Sequence, residues 1–331
     1  MKRPAILAFL LLSAAVWPAA AREPISVVAT PAAFPLAVQA AEQFSLKQQR
    51  PMPVVERLES DRGAALFCAG RGPGHPDVLA TTRQADRAGL GACARNGFGV
   101  AALRLGHQAV ALARTSGAGR LALTRRQIFL ALARELPLNG RLMPNPYRLW
   151  SDIDLSLPVA PIQVLGPPPL SPLRQAFTDL VMAPAAAQFP ALRGRDPGLL
   201  RDDGAFIALD AEEARVAAEL ARRPDALAVL SFNAFSANTF AAQPLQPLPI
   251  EGVVPDAAAI AEGRYPLSRP WLLYVKPAQV KSVAGLRAYL AEITGEAAAG
   301  PGGYLTRRGL VPLPPDEAAA QRAAVRSLPP L

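Results

Sequence analysis

The sequence predicts an α/β protein built on a parallel sheet, and three segments near its start carry that expectation. Ile25–Val28 reads as a short apolar strand, Ala33–Gln48 has helical spacing, and Pro53–Glu56 reads as a second strand. A strand, a helix and a strand at this spacing form a βαβ unit, whose strands run parallel because the crossover is too long for a hairpin. The alternation then recurs to the end of the chain.

Within the first helix Phe34, Ala37, Ala40, Ala41 and Phe44 fall on one side, as a core-facing stripe requires. Leu123–Glu135 is the next helix, entered at Thr124, and Ile162–Leu165 the next strand. Leu173–Val181 is helical again. Ala211–Arg222 is amphipathic, with Ala214, Val216, Ala217 and Leu220 on its apolar side, and Pro224 ends that stretch before a strand at Leu227–Phe232. A strand at Trp271–Val275 and a helix at Val283–Ile293 close the series. The densest proline clusters are Pro167-Pro168-Pro169 and Pro329-Pro330. The first follows a strand, where an open α/β sheet places its ligand loops, and prolines there stiffen the loop and remove donors. No repeat period and no low-complexity linker divides the chain.

The N-terminus has the three-part layout of a secretory signal. Lys2 and Arg3 are followed by the uncharged run Ala5–Trp17, then by the small residues Ala19-Ala20-Ala21 and the polar pair Arg22-Glu23. A membrane span needs roughly 20 apolar residues, more than this run supplies. Residues 1–21 are therefore expected to be a cleaved signal peptide. No cysteine follows the cleavage site, which argues against a lipoprotein anchor.

Without Lys2 and Arg3 the formal charge falls from +9 to +7. The arginines are scattered and aromatics make up only 6% of the chain, so a nucleic-acid role is excluded, while a mild preference for anions stands. Two cysteines, Cys68 and Cys93, in an oxidising compartment suggest one disulfide, the alternative being a pair of free buried thiols. With only two, well-separated histidines, His75 and His107, they form no metal-ligand cluster, and no cofactor is expected. No nucleophile elbow, P-loop, dinucleotide fingerprint or zincin motif occurs, so no enzyme is expected.

Five segments, in order, resemble the phosphate-binding receptors of phosphate ABC transporters, a family with the type II periplasmic-binding-protein fold. The clearest is Glu251–Pro255 followed by Ala259–Pro270, with its Gly-Arg-Tyr-Pro-Leu-Ser-Arg-Pro run. The others are Gly303–Leu305 with Arg308–Pro314; Phe67–Gly70 with Asp77–Arg83 and Cys93; Trp150–Ile153 with Pro161–Val164, Ser171, Arg174 and Phe177; and Arg201–Ala205. The resemblance implies two α/β lobes joined by two crossovers around a ligand cleft. Lobe 1 would comprise 22–103 plus 265–331, and lobe 2 would comprise 104–264. It further implies a periplasmic, non-enzymatic receptor that takes inorganic phosphate or a related oxyanion to an ABC permease in the inner membrane.

A buried tetrahedral oxyanion needs its hydration replaced by backbone N–H groups, hydroxyls and arginine. The resemblance points to three loops for this. At Thr30–Phe34 the N–H groups of Ala33 and Phe34 are the candidate donors, an ordinary helix cap by Thr30 being the competing reading. At Glu59–Gly63 the candidates are Ser60 and Asp61, although Asp61 and Arg62 stand where relatives carry glycines. At Ser171–Arg174 the candidates are Ser171 and Arg174, with Pro172 and Leu173 replacing a glycine and a threonine. Thr82 and Arg83 stand where relatives have a serine and an arginine, with a solvated surface arginine as the competing reading. One of Asp61, Asp202 and Asp203 would accept the proton of monohydrogen phosphate. The departures from the family pattern keep open an alternative, a degenerate homologue serving as a sensory or protein-interaction module of the envelope.

Overall fold

The computed structural model describes residues 24–85, 87–209, 213–236 and 244–331. The expected signal, 1–21, lies outside the described residues, as does the start of the helix expected at Ala211.

The first part of the chain alternates strands β1 (Ser26–Ala29), β2 (Val54–Arg57) and β3 (Val78–Thr81) with helices α1 (Phe34–Gln48), α2 (Ser60–Cys68) and α3 (Arg87–Arg95). A long strand, β4 (Ala101–Thr115), leads into helix α4 (Arg125–Leu132) and a hairpin of β5 (Glu135–Leu138) and β6 (Arg141–Pro144). Helix α5 (Trp150–Ile153), strand β7 (Val164–Gly166), helix α6 (Pro172–Phe177), β8 (Phe206–Ala208) and β9 (Leu227–Ser231) follow. The chain returns through β10 (Leu245–Pro247) and β11 (Ser268–Val275), then adds the short β12 (Val311–Pro312) and a C-terminal helix, Pro315–Ser327.

The sheet order is β2-β1-β3-β11-β4-β9-β7-β8, with β10 and β12 pairing to β4. β1, β2 and β3 are mutually parallel, and so are β7, β8 and β9. β11 and β4 run antiparallel between the two sets. Alternate residues of each set enter different cores, as period-two strands demand. Val27, Ala29, Val78 and Ala80 pack with α1 and the helix Leu286–Ile293, whereas Val28 and Leu79 pack with α2 and α3. In the second set Val164 and Val229 face α4 and α6, and Leu165, Ala228 and Leu230 face the helix Glu213–Leu220. The inner strands β1, β3, β7 and β9 are thus covered on both faces, which explains their continuous apolar runs, while the edge strand β2 is largely exposed. These are two α/β lobes sharing one curled sheet.

Sequence periodicity overlooked β4, the element that joins them. Its burial alternates at Ala101–Arg104 and becomes continuous from Ala109 to Arg114, because the strand leaves one lobe and enters the other. The lobe boundary expected between 103 and 104 therefore falls inside one unbroken strand. Gly106 is required at the joint: a Cβ there would lie 2.4 Å from the Val311 carbonyl oxygen of β12. The second joint is the Tyr-Pro-Leu-Ser-Arg-Pro run. The buried Tyr265 hydroxyl donates to the Val110 carbonyl at 3.0 Å, and Arg269 pairs with Asp179 at 2.8 Å. Asp179 lies in a π-turn, Thr178–Met182, that continues α6.

Cys68 and Cys93 form a disulfide with their Cα atoms 4.4 Å apart, tying α2 to α3. Thr124 caps α4 through a reciprocal box with Gln127, fixing the helix start where the sequence placed it.

Candidate functional site between the lobes

Strand register locates the cleft. Thr81, the last residue of β3, pairs with Leu272 and through it with Arg104 of β4. Ser231, the last residue of β9, pairs with Val110 of the same strand. The carboxyl edges of the two parallel sets thus face each other across about six residues of β4, roughly 20 Å of extended chain. The loops leaving those edges are presented toward a ligand held between the lobes.

On the lobe 1 edge, Thr30 follows β1. Its carbonyl accepts from the Ala33 and Phe34 N–H groups, both at 2.9 Å. Those two donors are engaged inside the turn instead of pointing outward, and Pro35 at the start of α1 has no N–H to add. Nor does the Thr30 side chain cap the helix: its Oγ1 is buried and has no partner. Ser60 opens α2 with Glu59 as its cap. At Gly63 a Cβ would meet Val28 and Leu79 at 3.5 and 3.7 Å, ordinary van der Waals contact, so packing does not demand a glycine there. Asp61 and Arg83 come together at 3.7 Å as an ion pair whose side chains are 98% and 72% exposed, a surface pair of little strength. Thr82 is half-buried beside them, and the Arg83 N–H donates to Thr81 Oγ1 at 3.1 Å.

On the lobe 2 edge, Ser171 is the N-cap of α6, its Oγ accepting from the Arg174 N–H at 3.1 Å. Pro172 contributes no donor. Arg174 is buried; its Nη1 donates to the Pro167 carbonyl at 3.0 Å and its guanidinium stacks on Phe206 at 4.5 Å. Burial lowers its pKa, with Asp196 opposing. Arg174 therefore holds the Pro167–Ser171 loop in place from beneath. Gly166 makes room for the same aromatic ring, because a Cβ would lie 2.4 Å from Phe206 Cζ.

The two acidic candidates of the Arg201–Ala205 segment lie elsewhere. Asp203 is held by Arg201 at 2.6 Å and by Arg148, and the Arg201 hydrogen bonds lead in pulling its carboxyl well below the usual range. Asp202 pairs with Arg134 at 3.1 Å. Neither lines the cleft.

A cavity of about 910 Å³ opens beside the joint, between the lobe 2 edge and the Pro301–Gly309 segment of lobe 1. Pro167, Pro168, Pro172, Leu173, Val216 and Val229 form its lobe 2 wall. Glu213 sits at its base and accepts from both the N–H and the hydroxyl of Ser231, the latter at 2.8 Å. Burial pushes this carboxyl up, opposed by the Ser231 bonds. Asn233 reaches across, its Nδ2 donating to the Thr306 carbonyl at 2.8 Å and the Leu310 carbonyl at 2.7 Å. Arg307 and Arg308, both exposed, form the lobe 1 lip.

Of the ligand-binding candidates named from the sequence (Ala33, Phe34, Ser60, Asp61, Thr82, Arg83, Ser171 and Arg174), Ser171 alone is among the described lining residues of this cavity. Glu213, Asn233 and Arg307 were not singled out. The available signal was positional: Asn233 is the first amide after a buried apolar strand, where strand ends of an open sheet meet ligands. Among the described residues no group of His, Cys, Asp and Glu is arranged to hold a metal ion.

This architecture, two α/β lobes with opposed strand ends around a cleft, is that of a solute-binding protein. Residues 15–297 match the PBP superfamily domain, and the chain belongs to that superfamily. Its fold is similar to that of a possible phosphate-binding protein from Planctomyces limnophilus, with a TM-score of 0.70 and 18% identity over 92% of this chain and 98% of that one. It is also similar to PstS from Borrelia burgdorferi, with a TM-score of 0.53 and 12% identity over 82% and 92%. An ABC-type phosphate transport receptor from Vibrio cholerae gives a TM-score of 0.51 and 14% identity over 83% and 95%. No curated protein matches the sequence.

Proposed function

We propose that this protein is a periplasmic receptor that captures an oxyanion, inorganic phosphate or a relative of it, between its lobes for an ABC permease of the inner membrane. The observation that carries this reading is the cavity between the lobe 2 strand ends and the Pro301–Gly309 segment of lobe 1, with the cationic lip Arg307-Arg308 on one side and Ser171 on the other. Two cations at the mouth of a low-dielectric cleft concentrate an anion, and closure of the lobes would bring donors of both edges to it. The buried, unpartnered Thr30 hydroxyl at the end of β1 supports the same reading, because it can turn to an anion once the lobes close. Export through a signal at 1–21 fits this role.

The test is calorimetry on the mature, phosphate-stripped protein with phosphate, sulfate and phosphate monoesters. Binding that is lost on replacing Arg307 and Arg308 by alanine is the expected result. No heat with any of these anions at millimolar concentration would overturn the reading.

A second reading is favoured by a specific observation: the Ala33 and Phe34 N–H groups are turned inward, and Pro172 has none. A homologue that had given up tight anion binding, and acts as a sensory or protein-interaction module of the envelope, would show this loss. It predicts a silent titration.

A further inference from the structure

The cleft is chemically two-sided. Its lobe 2 wall offers proline rings at Pro168 and Pro172, which carry no N–H, and the half-buried aliphatic side chain of Leu173, with the core residues Val216 and Val229 beneath. Leu170, at the tip of the same proline loop, is 100% exposed. The polar groups at the base are engaged with the protein: the Ser231 hydroxyl with Glu213, and the Asn233 amide with Thr306 and Leu310. Among the described lining residues positive charge comes from the lobe 1 lip, at Arg307, which also donates to the Gly302 carbonyl, and at Arg308.

A bare tetrahedral ion is poorly served by such walls. Closure would press hydrocarbon against oxygens that must keep hydrogen-bond donors, and burying a charge without them is costly. A molecule with an anionic head and an apolar body meets both sides, head to the arginines and body to the aliphatic wall. The volume, about 910 Å³, lies in the range of roughly 300–1,000 Å³ typical of sites for drug-sized ligands.

We propose that the ligand is an organic oxyanion, a phosphate monoester or its chemical equivalent with an apolar substituent, whose head meets Arg307 and Arg308 and whose body covers Pro168, Pro172 and Leu173. This rests on the receptor reading above and narrows its substrate class.

The experiment is titration of the mature protein with inorganic phosphate, phenyl phosphate, 1-naphthyl phosphate and neutral 1-naphthol. Affinity should rise from phosphate to naphthyl phosphate by about tenfold or more as apolar area is covered. Leu173→Ser should weaken the naphthyl ester by a larger factor than it weakens inorganic phosphate, and circular dichroism with thermal melting would verify that the variant folds. Inorganic phosphate binding as tightly as the esters would overturn the inference and leave the receptor reading intact. Naphthol binding as tightly as its phosphate would overturn the anionic head. Silence toward every anion would overturn both readings together.

Discussion

Asn233 of lobe 2 donates to the Thr306 carbonyl of lobe 1 at 2.8 Å, and the same amide nitrogen reaches the Leu310 carbonyl at 2.7 Å. This side chain thus ties the two lobes beside the cleft, in addition to the Arg269–Asp179 pair and the Tyr265 bond to Val110 at the other joint. The donor and both acceptors lie beside the cleft, so the tie bears directly on how far the lobes stand apart.

Replacing Asn233 by alanine removes both bonds and leaves two half-buried carbonyls to water. Stability should fall by about 1–2 kcal/mol, and the radius of gyration in small-angle scattering should increase. A variant with unchanged scattering and an unchanged denaturation midpoint would show that the tie does not hold the lobes.

Gly106→Ala introduces a methyl group where only 2.4 Å separates the Cβ position from the Val311 oxygen. β12 must shift or β4 must bend, at a cost of roughly 1–3 kcal/mol. Urea denaturation of the variant reads this directly, and amide exchange at Leu310 and Val311 should accelerate.

Reduction of Cys68–Cys93 opens a loop spanning 25 residues. The chain-entropy account puts the loss at about 3 kcal/mol. The thermal midpoint should drop on adding reductant, and a Cys68→Ser/Cys93→Ser double variant should match the reduced protein.

His107 is buried on β4, and its pKa is pushed down to about 4, first by burial and then by Arg104. Its ordinary value is 6.5. Between these values the unfolded chain binds a proton that the folded one refuses, so stability declines as pH falls through that window. The loss should reach roughly 2 kcal/mol on going from pH about 7 to about 5. Denaturation curves at the two pH values, wild type against His107→Gln, isolate this contribution; an equal slope in both would remove His107 as its source.

Much of the fold was legible in the sequence because local rules govern it. The βαβ opening, the Thr124 helix start and the strand at Leu227 follow from hydrophobic period and cap chemistry. The five matched segments extend the same reading to the whole chain. The site was less legible. Arg83, Asp61, Ser60 and Thr82 sit on the expected edge, yet Arg83 meets Asp61, and Arg174 faces inward to Pro167 and Phe206.

What the sequence determined by itself, then, is the α/β class with its parallel βαβ opening and the cysteine pair, while the two lobes followed from the resemblance of the five ordered segments. Only the tertiary structure decided what faces the cleft. Asn233, Glu213 and Arg307 lie far apart along the chain, and the register of β4 and the return of the C-terminal segment onto it bring them together. Long-range pairing sets which strand ends and loops meet across the cleft, and no local pattern encodes it.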